Sequence, residues 1–577
     1  MPSRIAAKSK LCLASRVNSR PAIRPVLFAL IGAFVSTGAY AVDPIVPNAG
    51  SLLQQAQPPT PEVPSRNEPG INIEPPSGTM LPPSEAVPVE HIAITGNTKI
   101  DTRTLHQLVA HAEGSTLTLP ELGELAAQIT DYYRAHGYPL ARAILPAQTI
   151  SNGVVRIEII EARYGKISLD NRTRVSDSLL QATLSGLQSG TVVSQGQMDR
   201  DLLLLSDIPG VTVNAALKPG VETGTSDLQV SASPTPFVTG NVTADNDGDR
   251  YTGQVRLGAT VNLIDPLHWG DVLSVSGLSS GSDMNYGRVS YEALLDGMGT
   301  RVGASYSALD YRLGGAIAPL AAYGDAHVSS VWVKQPLIRS QNLNLYGQIQ
   351  YDHLQLNDEI DTSDTQTNRH LDNVTTSLSG DVRDAWLAGS VNTWSASWTY
   401  GHVSFDNGPA QLSDASTTDT QGGFSKWNLT MTRLQNLGTQ DALYLDLAGQ
   451  WASGNLDPSQ MMIAGGPNSV RAYEVSAVAG DVGYLFTAEL RHTFPANWHG
   501  QWQAIAFFDN EQVRVDKNPI APGVNSATLS GVGVGINWAG PKNLLATAYV
   551  AHPVGAIPEL VGDTASVQVW LQLSKGF

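Results

Sequence analysis

The chain has 577 residues, of which 42% are hydrophobic, and its mean hydropathy of −0.09 excludes a bundle of membrane-spanning helices. Its formal net charge of −17 argues against a nucleic-acid partner, and its single cysteine, Cys12, leaves no pair for a disulfide. The length suits about three domains, or one large barrel with appendages.

Arg4, Lys8, Lys10, Arg16, Arg20 and Arg24 precede the apolar run Val26 to Val35, and Ala39-Tyr40-Ala41 follows it. This order predicts a secretory signal peptide over residues 1–41, cleaved before Val42. The apolar run is well short of the ~20 residues a spanning helix needs. Cys12 leaves with the signal and precedes the apolar run, so neither a lipoprotein anchor nor a cysteine-based metal or nucleophile site is expected. The mature chain then carries 29 Lys and Arg against 52 Asp and Glu, a net −23.

Residues 42–88 contain Pro-Pro pairs at 58–59, 75–76 and 82–83, and read as an extended linker too poor in apolar residues for a core. At its start "SLLQQAQ" (Ser51 to Gln57), with Leu52 and Leu53, predicts a short helix capped by Ser51. From Val89 the pattern turns to α/β. "VEHIAITGN" reads as a strand, "DTRTLHQLVAHA" and "TLPELGELAAQITDYYRAHGY" as helices, "ARAILP" and "GVVRIEIIEARY" as strands. The same order returns in "GKISLD", "VSDSLLQATLSGL", "SQGQMDRDLLLLSDIPG", "VTVNAAL" and "SDLQVSAS". Two β-α-α-β-β units are therefore expected, over 89–164 and 165–235.

Residues 236–577 show a period of two. In "LNLYGQIQY", Leu343, Leu345, Ile349 and Tyr351 alternate with Asn344, Tyr346, Gln348 and Gln350. In "ALYLDLAGQW", Leu443, Leu445, Leu447 and Trp451 oppose Tyr444, Asp446 and Gln450; "VQVWLQLSKGF" alternates to the terminal Phe577. About sixteen such strands, one per ~21 residues with no intervening helix, predict an antiparallel transmembrane β-barrel with apolar faces toward lipid and polar faces toward a lumen. "GLSSG" (Gly277 to Gly281) matches a hydrolase nucleophile pattern but lacks the strand-turn-helix elbow that chemistry requires. The twelve histidines show no zinc-protease spacing. No catalytic, cofactor or metal site is expected.

"GGPNSVRAYE" (Gly465 to Glu474) raises a different question, because it sets Arg471 between apolar neighbours in a long loop. A desolvated guanidinium needs a partner. Phe507 and Asp509 of "FFD" share one strand face, so a loop folded into the lumen could bring Arg471 to Asp509. Spacing alone leaves open a solvated loop arginine.

In these features the sequence resembles the outer-membrane transporters of two-partner secretion, the haemolysin/filamentous-haemagglutinin secretion proteins of Gram-negative bacteria. The marks are "LLLLSDIPGV" (Leu202 to Val211), "GGPNSVRAYE", "GDVGY" and "FFD". The resemblance implies two periplasmic POTRA units and a sixteen-stranded barrel. It implies a lumen-loop motif at Val470, Arg471, Ala472 and Tyr473, with Phe507 and Asp509 as its strand partner. It further implies a strand-start motif at Gly480, Asp481 and Gly483, a plug helix with Leu52 and Leu53, and a C-terminal barrel signal at Phe577. The family has glycine where this chain has Ala472; if that position takes a positive φ, alanine is strained there. The implied partners are an unfolded exoprotein (adhesin, cytolysin or contact-dependent toxin), outer-membrane lipid, and the barrel-assembly machinery during biogenesis. Capture would proceed by strand addition to an open edge, with "HIAITG" and "VVRIEII" as candidates. A barrel-assembly factor of the same POTRA-barrel superfamily is the alternative; a TonB-type receptor would need a larger plug domain and about 22 strands.

Overall fold

The computed structural model describes residues 46–57, 70–73, 84–496, 499–562 and 564–577. The signal peptide expected over 1–41 and much of the expected linker lie outside these. No helix among the described residues is long and apolar enough to cross a membrane.

The first β-α-α-β-β unit opens with strand His91–Thr95, followed by helices α2 (Thr102–Val109) and α3 (Leu119–Ala135); α1 is the short helix Ala49–Ala56 upstream. Asp101 caps α2 by accepting from the Thr104 amide, and Thr118 with Glu121 forms a capping box on α3. Apolar residues at helical spacing (Leu122, Leu125, Ala126, Ile129, Tyr133) bury one face of α3 against Ile92, Val155 and Ile157 of the sheet. Strand Val154–Ile160 is central, parallel to His91–Thr95 and antiparallel to Arg142–Ile144. "VVRIEII" is therefore no open edge, since both its sides are hydrogen-bonded; His91–Thr95 is an outer strand.

In the second unit, strand Arg163–Asn171, helices α4 (Asp177–Thr183) and α5 (Gln195–Ser206), and strands Val211–Pro219 and Thr225–Pro234 repeat these relations. The repeat of element order is thus a repeat of topology. One edge differs: Gly70–Ile73 pairs in parallel with Asn214–Leu217. The stretch expected to be structureless contributes a four-residue strand, which has no stability by itself and exists because the sheet edge supplies its hydrogen bonds.

The four consecutive leucines of α5, Leu202 to Leu205, are all buried. Leu202 and Leu205 face the sheet of their own unit, while Leu204 lies against the Gly299 turn of the barrel. A helical turn apolar all round, like this last turn of α5, is one covered on both sides. Arg339 clamps Asp207 with two bonds of 2.6 and 2.8 Å, and Arg301 donates to the Asp207 carbonyl at 2.6 Å. The second unit thus sits on the barrel's short-turn rim.

Sixteen antiparallel strands, Val238–Asp245 through Gln568–Gly576, close into the barrel, with Asn241–Asp245 paired to Gly576–Gln572 at the seam. Val242, Val289, Ile349, Trp427, Leu447, Val534 and Leu571 stand 45 to 60% exposed on the outer wall, an apolar band that lipid covers. Strands Leu343–Ile360 and Thr365–Asp384 have 18 and 20 residues, far beyond the roughly 9–11 that span a bilayer. Along Leu343–Ile360 the apolar residues change sides: Ile349 and Tyr351 point out, whereas Leu354 and Leu356 are buried inside. The expectation of a polar lumen face fails in this upper segment, because an apolar helix occupies the lumen there.

Candidate functional site

That helix is α1. Asn48, not Ser51, is its cap: the Asn48 side chain accepts from the Ser51 amide, and Ser51 returns a bond to Asn48, so Ser51 is the third residue of a capping box. Leu52 and Leu53 are buried in a socket shared with Leu309, Tyr311, Leu356, Leu371 and Phe424 of the barrel's inner wall. Gly50 allows the helix to touch the Ser459 backbone, since a Cβ there would lie 2.6 Å from the Ser459 nitrogen.

The polar contacts of α1 sit at its two ends. Asp358 accepts from the first-turn amide of Ala49 at 2.7 Å and from the Tyr311 hydroxyl at 2.5 Å. A carboxylate suits the positive end of a helix. Arg369 donates to Asp358 at 2.6 Å and also pairs with Asp457. At the far end Arg256 donates to the Gln55 carbonyl at 3.2 Å, Gln54 to the Pro458 carbonyl at 2.8 Å and Gln55 to Ser476 at 2.8 Å. Sequence reading missed Asp358, Arg369, Asp457 and Arg256, because acids and bases scattered over separate strands and a loop carry no local signal.

A second insert shares the lumen. The long connection between strands Asp441–Ala452 and Val482–Thr493 folds inward and carries a two-stranded ribbon, Met462–Ala464 with Val478–Gly480. Its tip buries Val470, Ala472 and Tyr473 completely, with Arg471 4% exposed. Arg471 makes a two-pronged pair with Asp509, Nε to Oδ2 at 2.9 Å and Nη2 to Oδ1 at 2.7 Å, and its own amide donates to Oδ2 at 3.1 Å. Its third nitrogen, Nη1, donates to Glu489 at 2.5 Å, and Glu489 in turn accepts from Arg491 at 2.6 Å. The guanidinium lies 3.5 Å over the Phe507 ring. Trp570 donates to the Arg471 carbonyl at 2.7 Å, which ties the tip to the closing strand.

Glu489 is the member that sequence reading did not name. Its signal was the alternation Thr487, Glu489, Arg491 along one strand face, which places an acid on the lumen side of the strand that pairs with Phe507 and Asp509.

Ala472 is not among the residues with positive φ, so the expected strain is absent. Room for its methyl comes from the strand paired with Asp509: a Cβ on Gly531 would lie 2.5 Å from the Ala472 Cβ, and one on Gly533 would lie 2.3 Å from the Phe507 ring. Gly531 and Gly533 of "GVGVG" form a trough for the tip and for the Phe507 ring beneath its arginine. Asp481 is fully buried and accepts from the Leu456 amide at 3.0 Å and the Lys517 amide at 2.7 Å, joining two loops at the start of its strand. Gly480 and Gly483 pass close to the Arg514 and Gln512 carbonyls. Phe577 stands on the outer wall and exchanges two backbone bonds with Gly240 at the seam, 3.0 and 3.1 Å. Gly277 and Ser279 of "GLSSG" lie in a strand that turns into another strand, not into a helix.

Residues 224–538, more than half of the chain, match the model of the haemolysin secretion/activation protein family ShlB/FhaC/HecB. Residues 87–162 match the ShlB-type POTRA domain. The heme/hemopexin transporter protein HuxB of Haemophilus influenzae is 26% identical over 488 residues, covering 83% of this chain and 85% of HuxB. The outer membrane transporter CdiB of Escherichia coli is 24% identical over 464 residues, covering 78% and 76%. Among solved structures, CdiB from Escherichia coli superposes with a TM-score of 0.70 at 21% identity, covering 87% of this chain and 93% of CdiB. CdiB from Acinetobacter baumannii gives 0.60 at 17% identity, covering 86% and 91%. With two β-α-α-β-β units ahead of a closed sixteen-stranded barrel, the chain belongs to the haemolysin secretion/activation family, the outer-membrane transporters of two-partner secretion.

Proposed function

We propose that the chain takes an unfolded exoprotein on the outer strand His91–Thr95 of the first POTRA unit and conducts it through a lumen whose two inserts have different tasks. α1 is the displaceable plug; the Arg471 tip is a fixed wall of the conduit. The observation that supports this division is the way α1 is held, by a short apolar face and a few polar contacts at its ends, on a segment that is no part of the barrel wall. In this reading the periplasmic part comprises 89–164 and 165–235, the barrel 236–577, and the segment 42–88 is the plug with its tether. Strand addition supplies main-chain bonds without demanding a particular sequence, which fits an unfolded cargo. The cargo is an adhesin, a cytolysin or a contact-dependent toxin. The resemblance to HuxB supports a second reading, an exoprotein that serves haem capture. Phe577, exposed at the seam, is the feature that the barrel-assembly machinery would read.

The test is removal of residues 46–57. Planar-bilayer conductance should rise and partner secretion should continue. Unchanged conductance would remove the plug assignment, and secretion lost at normal barrel levels would mean that α1 takes part in transport.

A further inference from the structure

The first POTRA unit brings together three side chains that no sequence motif connects. His91 opens the outer strand, His106 lies on α2, and Glu113 follows the 3-10 turn Ala110–Ala112. His91 Nδ1 is 2.8 Å from Glu113 Oε1 and His106 Nε2 is 3.0 Å from the same oxygen. One ligand atom from each of the three lies within 4.8 Å of the others. We infer that His91, His106 and Glu113 form a binding site for a divalent late transition metal, zinc in the first place.

Hydrogen bonding alone serves this cluster badly. Glu113 Oε1 already accepts from the Ile92 amide at 2.8 Å, and a carboxylate oxygen offers two lone pairs. The Ile92 amide and His106 Nε2 already take both, and His91 Nδ1 is crowded to 2.8 Å from the same atom. A cation between the side chains resolves the conflict: each imidazole turns a lone pair inward, and the carboxylate supplies charge as well as a ligand atom.

The distances suit such a change. Zinc–nitrogen and zinc–oxygen bonds of about 2.0–2.2 Å place tetrahedral ligand atoms roughly 3.3 Å apart, a few tenths of an ångström from the two His–Glu113 contacts. Two imidazoles and a carboxylate select zinc, copper or nickel over magnesium or calcium, which take oxygen ligands. The side chains of His91, His106 and Glu113 are 58, 31 and 24% exposed, so a metal can enter from solvent and a fourth position stays open for water or another ligand. The backbone beneath is rigid. Ile92 and Leu105, each one residue from a ligand, are 1% and 0% exposed in the core, and Asp101 caps the helix that carries His106. Occupancy would clamp the first residue of the outer strand to α2.

The test uses the full chain without an affinity tag, purified in detergent, stripped with a chelator and titrated calorimetrically with zinc alone. One zinc per chain is expected. His91→Ala, His106→Ala and Glu113→Gln should each weaken it by about tenfold or more, whereas His353→Ala, in a histidine–aspartate pair on the barrel wall, should leave it unchanged. Unaltered heat-modifiable mobility and an unaltered proteolytic pattern of the periplasmic units would show that the variants are folded. Zinc uptake equal in wild type and in the triple variant, or no uptake by the stripped wild type, would overturn the site.

Discussion

The two inserts in the lumen, α1 and the loop tip at Arg471, are held by different physics. α1 buries Leu52 and Leu53 in an apolar socket, and its polar contacts lie at its two ends. The tip is anchored through its middle by a buried guanidinium that spends its donors on two acids and a ring. Releasing α1 exposes a short apolar face and frees a few polar groups that water can serve. Releasing the tip would strand Asp509, fully buried, without a cation and leave Glu489 to Arg491 alone. In the proposed division of tasks, this difference in charge geometry is what makes one insert replaceable and the other permanent within a single barrel.

The largest expected effect comes from breaking the permanent insert. Arg471→Ala leaves the buried Asp509 without its cation, while Glu489 keeps Arg491, a cost of about 3–5 kcal/mol to the tip, so partner secretion at matched barrel levels should collapse. Asp509→Ala should act similarly, and the double variant should be little worse than either single, because the two residues form one unit. Strictly additive losses would mean that the pair is not a unit.

Next comes steric access to the trough. Gly531→Ala puts a methyl 2.5 Å from the Ala472 Cβ, so the tip must lift and secretion should fall. Adding Ala472→Gly should restore it by vacating that space. Ala472→Gly alone removes one buried methyl and should cost about 1 kcal/mol, with near-normal secretion. No rescue in the double variant would show that the two positions do not meet.

The replaceable insert should respond more mildly. Asp358→Ala removes the acceptor at the amino end of α1, worth about 1 kcal/mol, and leaves Arg369 paired with Asp457. Single-channel recordings should show more frequent opening, short of the effect of deleting α1, with secretion intact. Recordings as quiet as wild type would assign the hold to the apolar socket alone.

The smallest effect lies outside the barrel. Burial raises the carboxyl pKa of Asp199 and Asp201 on α5 above the usual value. A raised carboxyl contributes most below its unfolded pKa, near 3.8, and loses that contribution as pH rises through the folded value. Asp201→Asn should therefore slow backbone hydrogen exchange of α5 at pH 7 and change little below pH ~4. Faster exchange at pH 7 would show that the ionised carboxylate is needed.

Much of the fold was legible because its signals are local. Period-two alternation comes from the pleat, so lipid-facing Ile349, Leu447 and Leu571 could be read from the chain. Matched element order did the same for the two POTRA units, and "FFD" placed Phe507 and Asp509 on one face by the same pleat. Tertiary contact decided the rest. Asn48, not Ser51, caps α1 because the helix begins where the socket does. Gly70–Ile73 becomes a strand only because Asn214–Leu217 offers hydrogen bonds. The Ala472 methyl has room only because Gly531, 59 residues later, has no side chain. Asp358, Arg369, Glu489 and the His91–His106–Glu113 cluster belong to separate elements, and their meaning is electrostatic: a charge acquires a role only when folding sets its partner within a few ångströms and removes the water between them.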